Sequence, residues 1–240
     1  MSNINTEDSK TVDSLNDNEN KLYYSNLVEL EGYVDKGLKY HHSTHGEDIY
    51  SLILRVQRSN KEVSDYLPIE VSSRATDIDK IHEGDLLRIL GQFRSFNKIN
   101  KETNKASLQL SVFVRDIDWI KEDECTFKNS IVLNGHLCKN PIYRVTPSGR
   151  EISDIILAVN RIYGRSDYIP CIAWSRNARF MSGLSIGESL SIRGRIQSRV
   201  YHKRIKDTED YKENTVYEVS VSSVSVNQDD EQESAIIEQE

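Results

Sequence analysis

The sequence predicts an all-β chain made of two tandem five-stranded barrels with disordered acidic termini. Three observations predict it. The 240-residue chain repeats itself over about half its length. Each copy alternates apolar and polar residues with a period of two, as strands with one buried face do. The two ends are polar and charged, with almost nothing to bury.

The repeat is visible by direct comparison. Residues 26–32 match 129–135 and residues 48–58 match 151–161, both at an offset of 103. Residues 64–68 match 166–170 at an offset of 102, and 84–91 match 187–194 at 103 again. Order and spacing are kept throughout. The chain therefore divides into a disordered segment at 1–21, a first domain at 22–120, a linker at 121–128, a second domain at 129–226 and an acidic tail at 227–240.

In the second copy Ile131, Leu133 and Leu137 alternate with polar residues, as do Ile155, Leu157 and Val159, then Ile169, Cys171 and Ala173, then Leu190, Ile192 and Ile196. The last region, Val216 to Val226, continues the pattern. Pro147-Ser148-Gly149 and Thr44-His45-Gly46 supply turn chemistry between strands one and two. Asn177 to Met181 suits a short helix between strands three and four. Five strands with one such helix make the OB pattern, a small, partly open barrel. A sandwich would need about seven strands.

The net charge of −7 argues against a nucleic-acid partner, but its distribution reverses that. Residues 129–226 carry 14 basic and nine acidic side chains, a local +5, whereas 1–21 carry −3 and 227–240 carry −6. Local basic surface is what attracts phosphates. No stretch approaches the roughly 20 apolar residues of a membrane span, and the first ten residues lack a secretory pattern. The three cysteines, Cys125, Cys138 and Cys171, have no metal-ligand spacing, which fits a reduced, cytoplasmic setting.

Function concentrates on strands three and four of the second copy. With Leu190, Ile192 and Ile196 facing inward, Arg193, Arg195, Gln197, Arg199 and Tyr201 share the other face. With Ile169, Cys171 and Ala173 inward, Tyr168 and Trp174 face outward. Tyr163 stands in the preceding loop between Arg161 and Arg165. Rings interleaved with arginines are what sequence-tolerant single-strand binding needs, because every base has a π-face and the backbone is a polyanion. Lys203, Arg204 and Lys206 lie on the hairpin from His202 to Tyr211, expected to close over the strand. The opposing reading is that strand aromatics are usually core and surface arginines usually solvated.

Residues 129–201 resemble the bacterial single-stranded DNA-binding protein family. The resemblance is carried by 129–137, Pro141, 144–149, 157–161, 168–174, Asn177-Ala178 and 194–199. It implies an OB fold, sequence-independent binding of single-stranded DNA in replication, recombination and repair, and base stacking on Tyr163, Tyr168, Trp174 and Tyr201. It also implies four barrels per functional unit, hence a homodimer here, a nucleoid-associated location, and an acidic tail that recruits replication or repair proteins. The tail lacks the family's Pro-Phe ending and has Ile236-Ile237 followed by more charge.

The first copy is similar more weakly. Tyr66, Arg94 and Phe96 are its candidates, but Asn60 and Ser72 replace rings and Glu70 opposes phosphate. No enzyme, metal or cofactor is expected: His41, His42 and His45 lie in a turn without cysteine, and no phosphate-cradling loop or triad motif is present. Two other readings stay open, a primosome-type accessory protein that holds replication proteins, and a single-stranded RNA binder.

Overall fold

The period-two alternation becomes eleven strands in the computed structural model. It describes residues 25–44, 46–60, 62–99, 104, 106–162, 164–204 and 211–227, except the side chains of 203, 204 and 212. The terminal segments expected to be disordered lie outside the described residues, apart from Asn227. The first copy supplies β1 (Asn26–Thr44), β2 (Glu47–Gln57), β3 (Ser64–Ser72), a 3₁₀ turn at Ile78–Lys80, β4 (Leu86–Ile99) and β5 (Ala106–Trp119). The second supplies β6 (Asn129–Leu137), β7 (Ile142–Val145), β8 (Glu151–Asn160), β9 (Ser166–Trp174), α1 (Ser175–Ser182), β10 (Ser189–Arg204) and β11 (Tyr211–Val226). The expected helix is α1, which buries Ala178 and Met181. No helix among the described residues is long and apolar enough to cross a membrane.

Each copy closes on itself. β1 pairs antiparallel with β2 and β4, while β3 runs parallel to β5. In the same way β6 pairs with β8 and β10, and β9 runs parallel to β11. Closure brings backbones close enough to demand glycine at two repeated positions: a Cβ on Gly32 or Gly135 would collide with the carbonyl of Arg55 or Ala158, and one on Gly91 or Gly194 with that of Phe113 or Ser220. The copies differ at their first strand. β1 runs unbroken for 19 residues, whereas the second copy leaves the sheet after Leu137 and resumes as β7. Pro141 stands in that gap and has no N–H to give a ladder. β6 and β7 together thus take the place in the second five-stranded barrel that β1 fills alone in the first.

The two barrels are fused. The matching first strands, β1 and β6, pair antiparallel from Asn26 opposite Leu133 to Leu30 opposite Asn129, so all eleven strands form one sheet. The surrounding contacts recur with the copies exchanged. Asn26 Nδ2 donates to the Phe93 carbonyl (2.7 Å) and its Oδ1 accepts from the Phe93 N–H (2.9 Å); Asn129 does the same with Ile196 at 2.7 and 2.9 Å. The Ser198 N–H donates to Asp65 (2.9 Å), and the Ser95 N–H to Asp167 (2.5 Å). The Tyr66 N–H donates to Ser198 Oγ (3.0 Å), and the Tyr168 N–H to Ser95 Oγ (2.8 Å). Both aspartates are 1% exposed. Each is held by an arginine of its own barrel, Arg58 on Asp65 through Nε at 2.8 Å and Arg161 on Asp167 through Nε at 2.7 Å.

The connection between copies is also tied down. The buried Glu31 carboxylate accepts from the Thr126 N–H (2.7 Å), the Thr126 hydroxyl (2.8 Å) and Arg88 Nε (2.9 Å). Burial alone would raise this carboxyl, but the bonds from Thr126, Arg88 and Lys128 outweigh it and hold Glu31 below the ordinary carboxylate range.

Three outcomes follow. Asp65→Ala strands the buried ends of Arg58 and Arg195 and is expected to cost about 3–5 kcal/mol in denaturant unfolding. Asp154→Ala, which breaks the exposed Arg144 pair, should cost under about 1 kcal/mol. Glu31 has a depressed pKa in the fold, so its contribution is full above the unfolded value of about 4.3 and is lost as pH falls through the folded value. Unfolding midpoints measured from about pH 6 to pH 3 should fall less steeply for Glu31→Gln than for the parent chain.

Candidate nucleic-acid interface

The outer wall of the second barrel is formed by β10, β11, β9 and β8. Register places Arg195 beside Ser220, Ser220 beside Ile172, and Ile172 beside Asp154, one row across that wall. On β9 the alternation sends Ile169, Cys171 and Ala173 into the core and turns Tyr168 and Trp174 outward. Tyr168 is 48% exposed and Tyr201 38%, while Ile169 is fully buried. Trp174 is half-buried, next to Ile152 of β8 and at the entry to α1. Tyr163 lies outside the described residues, as do the side chains of Lys203 and Arg204 and the hairpin tip with Lys206.

The arginines divide into two groups. Arg165 and Arg193 are exposed, with no side-chain partner among the described residues. Arg199 is exposed, 3.8 Å from Glu218. These three guanidiniums are available to a ligand. Arg161 and Arg195 are occupied. Arg161 holds Asp167 and donates to the Ser95 carbonyl (3.1 Å). Arg195 donates to Asp65 (3.0 Å) and Gln197 (3.0 Å). Burial first, then the Arg58 charge, lowers the Arg195 guanidinium, and Asp65 opposes that shift. Both side chains turn into the seam because two buried carboxylates there require cations. Glu218, which accepts from Gln197 Nε2 at 2.7 Å, is an acid on this wall that the sequence reading did not single out. Its only signal was its place in the polar phase of the last strand.

In the first copy Tyr66 and Phe96 are exposed. Arg94 lies over the Phe113 ring, 4.0 Å from its centroid. Burial, aided by the Arg161 charge, pulls the Arg94 guanidinium down to about 10, and its Nε has no hydrogen-bond partner. Asn60 is exposed, whereas Ser72 is buried and donates to Glu47. His41 and His42 sit side by side, their Nδ1 atoms 3.0 Å apart. Among the described residues no three His, Cys, Asp or Glu side chains are grouped to hold a metal.

Residues 128–227 match the model of the Single-strand binding protein family. Single-stranded DNA-binding protein 1 of Staphylococcus aureus is 39% identical over 83 residues, 32% of this chain and 50% of that protein. Single-stranded DNA-binding protein A of Bacillus subtilis is 35% identical over 83 residues, 32% of this chain and 48% of that protein. The chain thus spans about half the length of the curated relatives it matches. The crystal structure of the wild-type single-stranded DNA binding protein from Thermus aquaticus superposes with a TM-score of 0.65, over 85% of this chain and 93% of that one, at 22% identity. That likeness concerns the two-barrel fold.

The division of the arginines is testable by stability alone. Arg195→Ala leaves part of the buried Asp65 unsatisfied and should cost about 1–3 kcal/mol in denaturant unfolding. Arg193→Ala, at an exposed position, should stay within about 0.5 kcal/mol of the parent.

Proposed function

We propose, from the premise that residues 128–227 belong to the single-strand binding protein family, that this chain binds single-stranded DNA with little regard to sequence. The observation that carries the reading is one wall of the second barrel on which Tyr168, Trp174 and Tyr201 face outward among the available guanidiniums of Arg165, Arg193 and Arg199. Bases stack on these rings, and on Tyr163 of the adjoining loop, while the arginines meet the phosphodiester backbone. Lys203 and Arg204 extend the basic track along the hairpin. Arg161 and Arg195 act indirectly, by holding the wall against the first barrel. No step in this binding makes or breaks a covalent bond.

The cellular role follows from the same premise. Bound chains shield exposed single strands during replication, recombination and repair, in the cytoplasm on the nucleoid. Two chains supply four barrels as a homodimer, and the acidic tail from residue 227 recruits replication or repair proteins. These extensions rest on the family resemblance.

The test is a titration with oligo-dT in a Trp119→Phe background, which leaves Trp174 as the only tryptophan. Its emission should be quenched on saturation. Unquenched Trp174 at saturation would remove it from the stacking set. Trp174→Ala should weaken binding roughly 5- to 100-fold, the worth of one stacked base. Affinity should fall with salt, and Arg193→Ala or Arg199→Ala should each shallow the log–log slope by about 0.7.

A further inference from the structure

Between the two barrels lies a cleft of about 820 Å³ that shares only Arg165 with the proposed site. The first barrel's lining includes His41, Arg94, Phe96, Phe113 and Glu70; the second adds Arg161, Arg165 and Ser166. Of these, Ser166 opens β9 two residues before Tyr168, so the cleft begins where the stacking wall ends.

The first barrel lost rings at Asn60 and Ser72, yet it carries others that the second lacks. The repeat offset puts Phe96 where the second copy has Arg199, and His41 where it has Arg144. Sheet register puts Phe113 beside Glu70 where the second copy has Ser220 beside Ile172. The aromatic surface is therefore displaced onto β1, β4 and β5. Phe96 is exposed and lies 6.5 Å, centroid to centroid, from the His41 ring. Behind them Arg94 covers Phe113 with its Nε unpaired, and Arg165 faces the cleft with no side-chain partner among the described residues. Glu70 is the acid among the described lining residues, and His41 Nδ1 stands 3.9 Å from it.

Rings beside the Arg165 side chain, unpartnered among the described residues, and beside an Arg94 whose Nε is free while a terminal nitrogen donates to Gln92 (3.1 Å), suit a ligand that is flat on one side and anionic on the other. We infer that this cleft takes a nucleotide unit of the same single strand, its base against Phe96 and His41 and its phosphate toward Arg94 and Arg165. The strand then passes from the second barrel onto the first through a contact built by both. This rests on the reading of the second barrel as a single-strand binder.

The test uses the full chain in the Trp119→Phe background, with and without the paired substitutions Phe96→Ala and His41→Ala, both at exposed positions. The probes are oligo-dT of roughly 10 nucleotides, within the span of one barrel, and of roughly 35 nucleotides, enough for both. The paired substitutions should weaken binding of the longer probe roughly 5- to 100-fold. The shorter probe should bind and quench Trp174 as in the parent. Equal affinity of parent and variant for the longer probe, with Trp174 still quenched, overturns the inference. So does an equal loss for both lengths, which would place these residues outside any separate contact. Absence of Trp174 quenching by either probe in the parent would instead strike the second-barrel reading itself.

Discussion

Two buried carboxylates organise this molecule. Asp65 and Asp167 sit at the junction of the barrels, each almost wholly removed from water. Each accepts from an arginine and from a backbone N–H across the seam. A charge buried this way is tolerable only when its partners are fully engaged. That requirement fixes where Arg58, Arg161 and Arg195 point, and it locks the β1–β6 pairing in register. Tyr168 and Trp174 keep their outward orientation because β9, which bears them, begins at the seam.

Much of the fold was legible because the repeat and the alternation are local properties of the chain. Counting residues along β9 is enough to separate Ile169 from Tyr168. The seam was not legible, because it arises when one copy's first strand meets the other's, and neither strand's pattern specifies its outer neighbour. The break at Pro141 was in plain view as a residue type, but a missing donor interrupts a strand only where the ladder needs one.

The site was legible in part for the same reason. Alternation identifies which guanidiniums leave the core, but it does not say which find a carboxylate. Arg193 and Arg195 look equivalent in the sequence, two residues apart and in phase. One is exposed, and the other is spent on Asp65, a residue 130 positions away. Phe113 escaped notice because its meaning depends on Arg94, from a neighbouring strand, lying across it.

Joining the two first strands inside one polypeptide has a further consequence. A barrel that had to find its mate by diffusion would separate on dilution, whereas tethered mates face each other at an effective concentration on the millimolar scale. Pairing then survives however scarce the protein becomes. It also frees the halves from identity. Mates made from one gene copy must change together, but halves written separately can drift apart, so one can shed its tyrosine and tryptophan while the other keeps them.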